Sequence, residues 1–311
     1  MARFARKLMT TTRPPWERRW RALMGVVLNY RPPDMKKGAA GPQRGKDGTP
    51  GVADMKRAAK DVGRAIAAGD LPGRDVLAFM AAHKSGGVRF TAATVLALLP
   101  PAPKEWGARA KLAAALADDD NWEVREAAVA AVRALIEADY AKGIALVMKW
   151  ARGRNVNLMR AAALAVMAKK TRRWPGDLED CFAVIEPLMA CRAEYVRKNL
   201  GPFALGSSLG VVHPAKTVEF LWRMAGAADE QVRWNVAMAF SQSFGAGRPD
   251  LAMPLLTRLA ADESKYVRTA AAASLRNIGR RHPRMMEIVL RQWEGDDTRR
   301  EVVERVKGFL K

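Results

Sequence analysis

A chain of 311 residues that is 49% hydrophobic can bury a large core, and its formal charge of +21 favours an anionic partner such as nucleic acid or a membrane surface. No apolar run approaches the roughly 18 residues needed to span a bilayer. Cys181 and Cys191 stand ten apart with no second pair and no His at ligand spacing, which argues against zinc and for two buried thiols in a reducing cytosol.

The first 60 residues are the most basic. Up to Arg31, Glu17 is the only acid, and Trp16 to Leu28 has the pattern of a short amphipathic helix behind Pro14 and Pro15. This stretch reads either as an arm that contacts phosphates or as a capping helix with a solvated basic face. A transit peptide fits less well, since no processing site follows. Pro32 to Gly51 is a Gly/Pro/Lys linker that cannot bury apolar surface. The expected division is therefore a basic helix and linker over 1–51 and a helical body over 52–311.

From Val52 three helical stretches follow, closed by Gly69 and Gly86 and broken at Pro100, Pro101 and Pro103. The clearest helix runs from Asp118 to Glu137. Asp120 or Asn121 can cap it, and with Asp120 as the cap Glu123 completes a capping box. Asp139 to Arg152 is its partner. Asn155 to Thr171 comes next and ends in a basic cluster, Lys169, Lys170, Arg172 and Arg173. Helical pairs are then expected over 177–189 and 194–206, 217–224 and 230–244, and 250–260 and 265–281. Gly206 to Gly210 loosens the first pair, and 284–311 forms a charged terminal cap.

One pattern repeats through these stretches. Val88-Arg89, Val124-Arg125, Met159-Arg160, Val196-Arg197, Val232-Arg233 and Val267-Arg268 are spaced 36, 35, 37, 36 and 35 residues apart, each followed by small apolar residues. That period without strand-like alternation means stacked helical hairpins. The six-residue spacing of Asp119/Arg125 and Asp262/Arg268 resembles the Asp–Arg ladder of HEAT repeats. The expected fold is an all-α, HEAT-like helical-repeat solenoid with a basic N-terminal arm.

Aligned on the arginine, the repeats act as controls for one another. Two places after the valine they read Glu126, Ala161, Lys198, Trp234 and Thr269; two places before it, Trp122, Asn157, Glu194, Glu230 and Lys265. Trp122 and Glu126, one helical turn apart, belong to a single helix and not to the repeat. Either could be plain structure, with Trp122 filling a groove and Glu126 pairing with an arginine such as Arg160.

The segments WEVREAA, NVNLMRAAALAV and EYVRKNLGPFALGSSLGVVHP are similar to the DNA alkylation repair proteins of the HEAT-like-repeat superfamily, the AlkD and AlkC type glycosylases. The resemblance is best over Asp118 to Pro214. It implies hydrolysis of the N-glycosidic bond of cationic purines such as 3-methyladenine and 7-methylguanine, with Trp122 against the deoxyribose and Glu126 as the catalytic carboxylate. Where the AlkD branch often has a second tryptophan after the RKNLG glycine, this chain has Pro202 and Phe203. The implied partner is double-stranded DNA, held at its phosphates by Arg160, Lys169, Lys170, Arg172, Arg173, Arg197, Lys198, Arg233 and Arg268, with Trp234 beside them. No cofactor, metal or membrane is implied, and a monomer in the cytoplasm, at the nucleoid, is expected. The rival is a non-catalytic HEAT-repeat scaffold that binds DNA structure or an acidic protein.

Overall fold

The computed structural model describes residues 14–25, 27–29, 51–167 and 177–310. Among them every regular element is a helix. The chain divides into two compact units, Met1–Leu146 and Val147–Lys311.

In the first unit, α1 (Glu17–Met24) is shorter than the helix expected over Trp16–Leu28 and gives way to a 3-10 turn, Val27–Asn29. Its apolar face is buried at Trp20 and Met24, and the Trp20 ring meets Phe79 edge-on at 5.0 Å. The described part of the basic arm is thus packed as a cap. The rest of residues 1–50, including the linker, lies outside the described residues. Next come α2 (Val52–Ala67), α3 (Gly73–Ala81), α4 (Gly86–Leu98), α5 (Trp106–Ala117) and α6 (Trp122–Ala138). The centre of the unit is α4 packed on α6, and Val88, Ala92 and Val95 of the one and Val124, Ala128 and Val132 of the other are all fully buried. Both sets recur at three or four residues, one face of a helix each. Burying one valine contributes about 1.5–3 kcal/mol.

After α7 (Tyr140–Ala151), the second unit contains α8 (Val156–Ala165), α9 (Leu178–Ile185) and α10 (Glu194–Asn199). Here the expectation of a loosened end at Gly206–Gly210 is overturned. The helix widens into a π-helical run, Leu200–Leu209, and closes with a turn at Gly210–Val212. Pro202 has no N–H to donate, so a regular i→i−4 ladder cannot pass through it. The glycines permit close packing and do not break the chain. A Cβ on Gly206 would stand 2.4 Å from the Ala239 carbonyl oxygen, and one on Gly210 would stand 2.3 Å from the Phe244 ring.

The remaining elements are α11 (Pro214–Met224), α12 (Glu230–Met238), α13 (Ser243–Gly247), α14 (Pro249–Leu259), α15 (Lys265–Arg281), α16 (Pro283–Gln292) and α17 (Arg300–Leu310). The helix expected over 230–244 is therefore two. Repeat packing runs through the unit: α8 on α10, the π-helical run on α12, α12 on α15, and α15 on α17. Cys181 is buried as expected, whereas Cys191 is partly exposed.

Helix starts correct the repeat register at one place. The marker arginine is the fourth helical residue in α4, α6, α10, α12 and α15, at Arg89, Arg125, Arg197, Arg233 and Arg268. In α8 the cap is Asn155 and the fourth residue is Met159, so Arg160 is the fifth. Matching arginine to arginine slid this repeat by one. In the corrected register the fifth positions are Phe90, Glu126, Arg160, Lys198, Trp234 and Thr269. Arg160, Lys198 and Trp234 thus share a position with Glu126, and Val156 replaces Asn157 in the column of Trp122.

The ladder of the fourth position is visible in the hydrogen bonds. Arg89 Nη2 donates to Asp119 Oδ1 at 2.9 Å, and Arg233 Nη2 to Asp262 Oδ1 at 2.9 Å. Four of the column's arginines turn Nη1 back onto two carbonyls of their own repeat. These are His83 and Lys84 for Arg89, Asp119 and Asp120 for Arg125, Ala227 and Ala228 for Arg233, and Asp262 and Glu263 for Arg268.

Candidate functional site

The start of α6 sets the positions of the two carboxylates. Asp119 Oδ1 accepts from the Asn121 N–H at 2.8 Å, and Asn121 Oδ1 accepts from the Glu123 N–H at 2.9 Å. Asn121 is therefore the cap and Glu123 the second helical residue, one place too early for the capping box. The Glu123 side chain is turned inward, with only 3% of the residue exposed, and burial pushes its carboxyl above the ordinary carboxylate range. Trp122 is half-buried at the first helical position, and Glu126, one turn on, is exposed. One helix start thus carries a buried carboxyl held toward its protonated form and an accessible one beside an indole.

In the second unit Arg160 is buried, 6% exposed, with its guanidinium 4.5 Å above the Tyr195 ring. Asn199 Oδ1 lies 3.5 Å from Arg160 Nη2, and Asn199 Nδ2 donates to the Tyr195 carbonyl at 2.8 Å. The YVRKN segment therefore builds the seat of Arg160. Lys198 is exposed and ion-paired to Glu194. Arg197 lies 5.2 Å from the Trp234 ring centroid and donates to Tyr266 Oη.

Two arginines expected at phosphates are ladder rungs. Arg233, 7% exposed, has all five N–H donors engaged, with Asp262 twice, Glu263, and the carbonyls of Ala227 and Ala228. No donor is left for a phosphate. Arg268 uses its Nε and both terminal nitrogens on Glu301 and on the carbonyls of Asp262 and Glu263. Lys169, Lys170, Arg172 and Arg173 lie outside the described residues.

Sequence reasoning missed Tyr195, Asn199 and Tyr266. A signal existed for the tyrosines, because Tyr-Val-Arg occurs twice, at 195–197 and 266–268, and places each ring at the second helical position. None of the described helices is long and apolar enough to cross a membrane.

A family model described as DNA alkylation repair enzyme matches residues 51–223, and one for HEAT repeats matches 183–276 and 217–306. No curated protein matches. Among solved structures, smu.31 from Streptococcus mutans UA159 is 13% identical, over 83% of this chain and 100% of that one, with a TM-score of 0.36. AlkD2 from Streptococcus mutans is 15% identical, over 77% and 97%, with a TM-score of 0.38.

Proposed function

Because the chain belongs to the DNA alkylation repair enzyme family, whose model matches over half its length, we propose that it is a DNA glycosylase. It binds duplex DNA and excises cationic N-alkylated purines, such as 3-methyladenine and 7-methylguanine, by hydrolysis of the N-glycosidic bond. The observation that supports this reading is the division between Glu123 and Glu126. Of these two, Glu126 is the accessible one, and it stands one turn from the half-buried indole of Trp122.

The chemistry needs little more. As the bond from C1′ to the purine breaks, its electron pair leaves with a base that was already cationic, so no general acid is required. The sugar becomes oxocarbenium-like, and a fixed carboxylate stabilises that charge and accepts a proton from the attacking water. The electron-rich face of Trp122 favours a neighbouring cation. Phosphate contacts from Arg197, Lys198, Lys169, Lys170, Arg172 and Arg173 supply affinity that ignores sequence, as a protein searching for lesions requires.

Single-turnover release of 7-methylguanine from methylated duplex tests the reading. Glu126→Gln keeps shape and removes charge, so excision falls by about 10²–10³ while duplex affinity is level or slightly higher. Trp122→Ala lowers both rate and lesion selectivity. Wild-type protein that releases nothing, or a Glu126→Gln variant as active as wild type, removes Glu126 from the mechanism. Affinity for lesion-free duplex should fall with salt at a log–log slope of about −0.9 per phosphate, and about five contacts are expected. A slope near zero favours the scaffold that binds an acidic protein.

A further inference from the structure

Arg197 is the member of the fourth-position column that departs from the pattern. Arg89, Arg125, Arg233 and Arg268 all turn Nη1 onto the carbonyls six and five residues back, and Arg89, Arg233 and Arg268 each add a carboxylate from further along the chain. Among the described residues Arg197 makes neither bond. At the distance that separates Arg89 from Asp119, 30 residues on, it finds Ala227. Its guanidinium lies instead against a pair of aromatic rings, 5.2 Å from the centroid of Trp234 and 6.0 Å from that of Tyr266, which are themselves stacked at 5.5 Å and 10°.

The orientation is fixed through the phenol. Tyr266 Oη donates to Gln231 Oε1 at 3.0 Å, so its lone pair faces Arg197 Nη1, which donates to it. Gln231 is itself fully buried, which anchors the chain of bonds in the core. The rings and the phenol supply no counter-charge to this guanidinium. Arg197, Trp234 and Tyr266 each remain partly exposed.

We propose that Tyr266 and Gln231 are positioning residues for the phosphodiester contact of Arg197, fixing its guanidinium beside Trp234 in the orientation that a phosphate meets. This rests on the DNA-binding reading above; Arg197 lies inside the family match, and Gln231, Trp234 and Tyr266 lie past its end at residue 223. A phosphate supplies the anion that the ladder omits here, and a guanidinium already held by Tyr266 meets its oxygens through the remaining terminal N–H groups without first being ordered. Trp234 and Tyr266 hold the cation without competing for it, as a carboxylate would.

The test is binding of the full chain to lesion-free duplex over a range of salt. Arg197→Gln should weaken binding about tenfold, the worth of one charged hydrogen bond, and flatten the log–log salt slope by about 0.9. Tyr266→Phe keeps the ring and should give a smaller loss. The double variant should be no weaker than Arg197→Gln alone, which a merely structural tyrosine would not produce. If wild type shows no salt-dependent duplex binding, the DNA reading fails and this proposal with it. If wild type binds and Arg197→Gln matches it in affinity and slope, the proposal fails alone. Should Arg197→Gln not fold, Tyr266→Phe decides, and wild-type affinity in that variant overturns the proposal.

Discussion

Arg233 and Arg197 stand at the same helical position in successive repeats and meet opposite fates. Around Arg233 the sequence supplies Asp262 and two carbonyls, and the cation becomes part of the packing. Around Arg197 it supplies Ala227 in place of the acid, and Trp234 and Tyr266 in place of the carbonyls. The ladder itself is cheap to interrupt at one rung, since each repeat packs only on its neighbours. Under the proposal for Arg197, removing one carboxylate and adding two rings turns a structural column into a binding column.

The largest effect expected on either side of this comparison is that of Arg233→Ala. Removing the arginine leaves Asp262, which is nearly buried, without its partner, and it strands two carbonyls. Breaking a buried pair from one side costs about 3–5 kcal/mol. The melting temperature should drop sharply, while the fraction that stays folded binds duplex as wild type does. Thermal melts and binding on the same preparation decide it. Lost affinity at unchanged stability would mean that the rung, too, faces DNA.

Next in size is an attempt to restore the missing rung. The Ala227 carbonyl already accepts from Arg233, as those of Asp119 and Asp262 accept from Arg125 and Arg268. The backbone at Ala227 is thus in the place where those aspartates stand. Ala227→Asp puts a carboxylate 30 residues beyond Arg197, the separation of Arg89 and Asp119. It should compete with phosphate for Arg197 and weaken duplex binding by up to about tenfold, one neutralised contact. The melting temperature should hold or rise. Unchanged affinity in a folded Ala227→Asp variant would show that Arg197 contributes nothing to the interface.

Most of the fold was legible because periodicity reports packing directly. The recurring arginine marks fell on one helix of each repeat, and Lys265–Arg281 falls where the pattern put it. What escaped depended on single residues. The slip at Arg160 arose because an arginine at the fifth position looks, in sequence, like one at the fourth; only the Asn155 cap separates them. Gly206 and Gly210 looked like breakers, since a sequence does not say which backbone approaches a glycine. The role of Glu123 hung on whether Asp120 or Asn121 caps α6; with Asn121 as the cap it is the second helical residue and is buried, outside any capping box.

That last distinction yields the smallest effect. Glu123 has a carboxyl pushed up by burial, so the folded state binds its proton more tightly than the unfolded chain does. By linkage, the stability this contributes is fully present below the unfolded glutamate value, about 4.3, and is lost as pH rises through the higher folded value. Glu123→Gln does not titrate and keeps the size of the side chain. At neutral pH it should melt at the wild-type temperature or a few degrees above it, and the advantage should shrink as the pH falls toward the unfolded value. Because Asn121 holds the cap, no helix start is lost. Excision should be unaffected, in contrast to Glu126→Gln. A Glu123→Gln variant that melts well below wild type at neutral pH would show that the buried group works as a charged carboxylate. One that folds normally but stops releasing 7-methylguanine would move the catalytic role from Glu126 to Glu123.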